Sequence, residues 1–430
     1  MTGQASRWSS IVAVLLFAGA AGAASAQAQR PALTFAMYLA EVLRTNLDLA
    51  VQQSQVDSAR AQQVGARARP DWNALVGLPS LDLSNAGSPT ITSGTLSVPI
   101  ELGGKRGHRV DAAGADVTVA ASDYDDAVRQ LRGTAAGAFI DALTARNILK
   151  AKNLSLAQLE RLVTVNQDRL RAGDIGEIEL VQARVERDQF RTEVIDAEAE
   201  VDAQDVALGQ LMGTRAAIST ALPEPAGSLD VPTRTFNLDG LISDALIRRP
   251  DAASRAHAVE SSNDKLTLAR ANLVPDLALA GTYQHSGPGT GGFAQPADNT
   301  LAASLSLNLP LFRRQNPGDV LAAQSARAQA DFQLQSVKIR IEAEVRQAYR
   351  RYQSTVQRLN LYRGNLLQDS DRVLEARLYA YQRGNATLLE VIEAQRTSDE
   401  IRLAYYQALA DHAHALVTLE QAAAMWDIDF

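Results

Sequence analysis

The side chains able to do chemistry in this sequence are few, and their spacing argues against catalysis. The five histidines are scattered; the closest two, His412 and His414, sit two positions apart and on a helix point to different faces, so they do not share a metal ion. His108 lies in a glycine-rich turn, Gly103-Gly104-Lys105-Arg106-Gly107-His108-Arg109, without the spacing of a phosphate-binding loop. A strand-to-helix junction carrying cations at a membrane boundary fits that turn better. The chain has no cysteine, which removes disulfides, thiolate metal sites and a lipid-modified N-terminal cysteine. Past the first 26 residues only Met37, Met212 and Met425 remain, too few for a thioether relay. No nucleophile and base are paired by spacing. The expectation is no active site, no cofactor, no metal site and no enzyme.

The more informative groups are acids beside two glycine turns. Glu390 and Glu393, three apart in Leu389-Glu390-Val391-Ile392-Glu393-Ala394, share one helical face just after Gly384. Glu179 lies in the corresponding stretch after Gly173, Ile178-Glu179-Leu180-Val181-Gln182-Ala183. Two readings apply: a solvated helix start, because carboxylates favour a first turn, or acids set to face a common space.

The elements that position them are built twice. Leu33-Thr34-Phe35 and Phe236-Asn237-Leu238 lie 203 residues apart, Pro70 and Pro275 lie 205 apart, and Pro99 and Pro310 lie 211 apart. Leu170-Arg171-Ala172-Gly173-Asp174 and Tyr381-Gln382-Arg383-Gly384-Asn385 are again 211 apart. Matches in one order with slowly drifting offsets mark a duplication. The division that follows is a leader over 1–26, a first repeat over 27–213, a linker over 214–235 and a second repeat over 236–430.

Each repeat reads helix, strand, strand, long helix, turn, helix. Residues 33–68 are helical in pattern, and the long helices are expected over about 110–170 and 320–381. Val337, Ile341, Val345, Ala348, Tyr352, Val356 and Leu359 recur every ~3.7 residues, the period of a nearly straight helix. Sixty such residues extend roughly 90 Å, and the shorter helices, stacked in pairs, match that length. The helical part is then a hollow rod or sheath. Between the helices the period changes: Leu301, Ala303, Leu305, Leu307 and Leu309 alternate with Ser304, Ser306 and Asn308. Leu277 to Tyr283 precedes them, and the first repeat has weaker counterparts over 72–83 and 90–100 joined by Asn85 to Pro89. Strands of about ten residues cross an outer membrane when tilted. A small soluble hairpin capping a helical bundle is the alternative. Four strands do not close a barrel, so the membrane reading requires an oligomer.

The first 26 residues have the three-part anatomy of a secretory leader: Arg7, the apolar run Ile11 to Ala24, and Ala24-Ser25-Ala26 for cleavage before Gln27. No later apolar run reaches 18 residues, so membrane entry would be as strands. A net charge of −7 and a pI near 5.4 exclude the basic footprint of a nucleic-acid binder.

With this duplicated plan, its leader and its two glycine turns, the chain resembles the TolC-type outer-membrane efflux factor family over nearly all its mature length. The resemblance implies a mixed, mostly α fold: a trimeric 12-stranded β-barrel, four strands per chain, continuous with a long α-helical barrel. It also implies the cell outer membrane as location, extending into the periplasm, and contacts with outer-membrane lipid, a periplasmic adaptor and an inner-membrane pump. By that resemblance Glu390 and Glu393 occupy the acidic ring of the channel constriction, with proton affinity raised by mutual repulsion. Tyr381 and Glu179 fall on the closed-state contacts, while Ala386 stands where an arginine is expected. The stretch Pro99 to Gly107 is similar to the junction of the cobalt-zinc-cadmium efflux branch. The implied function is a passive exit duct in a tripartite efflux system; a duct for drug efflux or type I secretion, or a secreted helical structural protein, are the alternatives.

Overall fold

Single residues decide where the helices break. The computed structural model describes residues 32–78, 90–213, 215, 222–288, 296–307, 315–427 and 430; the leader and the Asn85–Pro89 loop lie outside them. Residues 33–68, expected as one helix, form α1 (Phe35–Thr45) and α2 (Leu47–Ala66). Asn46 divides them in an extended conformation. Its N–H donates to the Val42 carbonyl to close α1, and its Oδ1 accepts from the Leu49 N–H at 3.1 Å to open α2. The second repeat breaks at the same place by other means: α5 (Leu238–Arg248) and α6 (Pro250–Ala271) part at Arg249, which Pro250 holds out of the helical region.

The first repeat continues through β1 (Asn73–Gly77) and β2 (Ile91–Ile100) into α3 (Lys105–Ala172), an unbroken helix of 68 residues, and closes with α4 (Glu177–Leu211). The second runs through β3 (Leu277–Ser286) and β4 (Asp298–Leu307) into α7 (Gln315–Leu361). The long second helix is not continuous as expected. A π-turn over Tyr362–Leu366, inside which Gly364 takes ψ −110°, separates α7 from α8 (Leu367–Gln382). Glycine, without a Cβ, admits that departure. The last helix is α9 (Leu388–Ala423).

The helices form a layer with α3 inside it. Along one side α3 packs on α2 and α4, along the other on α6 and α9, and α7 and α8 lie beyond these. Two apolar clusters hold the layer: one at the waist around Phe35, Tyr38, Phe139, Leu416 and Leu419, and one towards the turns around Leu159, Leu162, Tyr381 and Val391. None of the described helices is long and apolar enough to cross a membrane.

The four strands form one antiparallel sheet in the order β1-β2-β3-β4. Its register puts Val76, Leu96, Val98, Leu279, Tyr283, Leu301 and Leu305 on one face, and Asn73, Ser93, Thr95, Ser97, Thr282, Gln284, Ser304 and Ser306 on the other. The apolar face is bare within the chain: Leu301 is 82% exposed and Leu305 68%.

At the base of the sheet, Gly103 and Gly104, both at φ +70°, turn β2 into α3. A Cβ on Gly103 would lie 2.9 Å from the Val274 side chain. Lys105 is buried and bonds Asp276 at 2.8 Å, tying the repeats together. Arg109 grips Glu101 at 2.7 Å, and Arg106 and Arg109 donate to the carbonyls of Ala66, Arg67 and Ala68 at the end of α2. Cations belong at a helix C-terminus, where unsatisfied carbonyls gather.

Candidate gate at the helical tip

Both helix hairpins turn on a left-handed glycine. Gly173 (φ +82°) and Gly384 (φ +74°) each donate to the carbonyl three residues back, Leu170 and Tyr381. Asp174 and Asn385 donate further back, to Arg169 and Ala380, so each turn satisfies the last carbonyls of its helix. The hairpins then differ. α4 opens on Gly176 with no side-chain cap. α9 opens on Thr387, whose Oγ1 accepts from the Glu390 N–H at 3.3 Å while Glu390 Oε2 accepts from the Thr387 N–H at 2.8 Å, a complete capping box.

Tyr381 joins the two hairpins. It stands on α8 and is 2% exposed. Its hydroxyl lies 2.5 Å from Asn166 Oδ1 on α3 and 3.5 Å from Glu179 Oε2 on α4. A phenol has one proton to donate, so the short Asn166 bond is the strong one and the Glu179 contact is at the edge of bonding distance. Arg169 of α3 lies 4.6 Å from the ring centroid and donates to the Tyr381 carbonyl at 3.2 Å. Burial pushes the Tyr381 hydroxyl above its ordinary pKa; Glu179 adds to this and Arg169 opposes it. Tyr381 therefore stays a neutral donor. Ala386 packs on the tip cluster, and the cation beside Tyr381 comes from the opposite hairpin.

Glu390 and Glu393 lie on the groove between α8 and α9 with Val373, Arg377 and Thr397. The two acids are not equivalent. Besides closing the capping box, Glu390 pairs with Arg377 at 3.2 Å. The Thr387 N–H, with help from Arg377, holds its carboxyl below the usual range. Within one chain these local bonds lower the proton affinity of Glu390. Glu393 is exposed and makes no ion pair among the described residues.

Sequence reasoning missed Asn166, Arg169 and Arg377, because each meets its partner only after the hairpins pack. It also missed Asp399 of α9, which is 7% exposed and accepts from the Ser155 hydroxyl and, at 3.1 Å, from Gln395. Burial pushes the Asp399 carboxyl up. His412 is buried against the Tyr352 ring, and His414 meets Asp141 at 2.8 Å on another face. Among the described residues no three His, Asp or Glu side chains could hold a metal.

A sheet with one apolar and one polar face, set on helices of this length, defines an outer-membrane channel protomer. The chain belongs to the outer membrane efflux protein family, whose profile matches residues 38–214 and 241–424, one segment in each repeat. It is 23% identical over 390 residues to the cobalt-zinc-cadmium resistance protein CzcC of Cupriavidus metallidurans, covering 90% of this chain and 89% of that one. It is 25% identical over 390 residues to the pyoverdine export outer membrane protein OpmQ of Pseudomonas putida, covering 84% and 79%. Its fold is similar to the open-state MtrE outer membrane channel of Neisseria gonorrhoeae, with a TM-score of 0.74 at 19% identity over 91% and 89% of the two chains.

Proposed function

We propose that three copies of this chain close into one outer-membrane duct of a tripartite efflux system, passive and without catalytic residues. The observation that carries this is the sheet, with one exposed apolar face and an opposite face rich in Ser and Thr. Lipid fits the first face and a water-filled lumen the second. The edges agree. β1 and β4 are open at opposite ends of the sheet, and the helical layer has the matching edges α2/α4 and α7/α8. On α4, exposed Ile178, Val181, Val185, Ile195 and Val206 follow a heptad rhythm; on α7 and α8, Phe332, Ile339, Leu361 and Val373 are also exposed. Two unlike edges joined head to tail close a ring, and three chains supply twelve strands. Protein extracted in mild detergent is expected to be a trimer by light scattering; a stable monomer overturns the reading.

At the far end, Tyr381 with Asn166 and Glu179 holds the hairpins together at rest, while Glu390 and Glu393 place acids at the constriction. A periplasmic adaptor and an inner-membrane pump would release the contact. The likeness to CzcC and the junction from Pro99 to Gly107 support divalent metal cations as cargo. The likeness to OpmQ supports a second reading, an organic solute. Loss of the gene should sensitise cells to cobalt, zinc or cadmium more than to lipophilic compounds; the reverse pattern selects the second reading.

A further inference from the structure

The two long helices are the same length and differ in one place. α3 covers 68 residues without interruption, whereas α7, the π-turn and α8 cover the same 68 in pieces of 47, 5 and 16. At a π-turn the i→i−4 ladder is locally lost, and bends in long helices concentrate at such sites. This one lies immediately above the hairpin that carries Tyr381, Glu390 and Glu393. It also has an outside attachment. Arg363 in the π-turn pairs with Asp230 of the linker between repeats. The neighbouring Tyr362 ring lies 6.2 Å from Tyr405 of α9. Within the turn Arg363, Gly364, Asn365 and Leu366 are all exposed, so little packing fixes the helix there.

We propose that the π-turn Tyr362–Leu366 is the flexure about which the α8–α9 hairpin swings, and that the Asp230–Arg363 pair is a strap by which the inter-repeat linker restrains it. Because the linker also holds Arg234 against Glu420 and Asp427 at the waist, the strap is anchored at both ends. The inference rests on reading the tip as a gate, but its test reads motion rather than conduction.

The chain has no cysteine, so spin labels at Asp174→Cys and Asn385→Cys report the distance between the two turns in the detergent-solubilised full-length protein. Labels on the same protomer are isolated by diluting labelled with unlabelled chains. A broad or two-peaked distribution is expected, narrowing in Gly364→Ala, which keeps the length and favours regular helix at the turn. Asp230→Ala should raise amide exchange across 362–366 about fivefold, the reach of an exposed ion pair. The exchanged pair Asp230→Arg with Arg363→Asp should restore it, whereas a merely structural loss would not be rescued. Protection at 362–366 equal to that at 151–155 of α3, together with a distance distribution unmoved by Gly364→Ala, overturns the proposal. If conductance is absent but the hinge signals appear, the gate reading fails and the flexure stands.

Discussion

The two ends of the helical layer are held in opposite ways. At the sheet, two left-handed glycines, a buried Lys105 paired with Asp276 and three arginine-capped carbonyls fix β2, α2, α3 and β3 against one another. At the tip, the Tyr381 hydroxyl, Asn166, Arg169 and the Arg396–Glu186 pair span the gap between hairpins over the apolar cluster around Leu159 and Val391. Many bonds of short reach make a joint that fails only as a whole. Contacts made by side chains reaching between hairpins make one that can open while the helices stay intact. On the function proposed above, the molecule is rigid where it enters lipid and openable at the tip.

The largest effect that tests this contrast is at the junction. Gly103→Ala places a Cβ at positive φ against Val274 and should cost about 2 kcal/mol or more, read as a lower trimer melting temperature. If it is tolerated without a shift, the junction is not the rigid end. Next in size is the waist, where Glu420 is fully buried and its carboxyl is raised from 4.5 to about 7, first by burial and then by its bond to Asp427. A raised folded pKa means the folded state holds the proton more tightly. The contribution is therefore complete below the unfolded value and is lost as pH rises from 4.5 to about 7. Asp427, whose carboxyl is lowered by its bonds to Glu420 and Arg234, adds its pH dependence below its ordinary value, outside that window. A stability decline on the order of 2 kcal/mol across that window is expected, and Glu420→Gln should flatten it; an unchanged slope in the variant places the titration elsewhere.

At the tip the same scale shrinks while the functional effect grows. Tyr381→Phe keeps the ring under Arg169 and removes the bonds to Asn166 and Glu179. It should cost about 1 kcal/mol in stability yet raise resting conductance in planar bilayers; tight closure in the variant would show that packing, not the hydroxyl, holds the hairpins. The smallest test compares the hairpins with each other. Thr387→Ala should loosen the start of α9 by about 1 kcal/mol, while Gly176→Ser should firm α4 by only a few tenths. Amide exchange in the two first turns measures both, and equal responses would erase the difference between the capped and uncapped hairpin.

Much of the fold was legible because it is periodic. The alternation from Leu301 to Leu307 and the stripe from Val337 to Leu359 state their own faces, and the repeated glycine turns locate both tips. What periodicity hid were the breaks. Asn46 looks like any polar residue on an exposed face until its amide also meets the Leu211 carbonyl across the repeat. Gly364 sits in a helix that tolerates glycine elsewhere, and only its neighbours' geometry turns it into a π-turn. At the candidate site, helical spacing pairs Glu390 with Glu393 beside a turn, whereas Tyr381 and the closed-state role of Glu179 came only with the resemblance. Asn166 and Arg169 stand two hundred residues away in sequence, and the pairing of Glu390 with Arg377 depends on how the two helices of one hairpin are rotated.

The equal length of the two long helices has a consequence for descent. In a helix each added residue rotates everything beyond it by about 100° and lifts it by about 1.5 Å. A change of length in one copy alone would leave its turn at another height and its apolar stripe on another face. Matched insertions of whole turns in both copies are the steps that keep the two tips level. The reach of this duct across the space it spans is therefore inherited as one trait written in two places, and ducts of other lengths should differ in pairs.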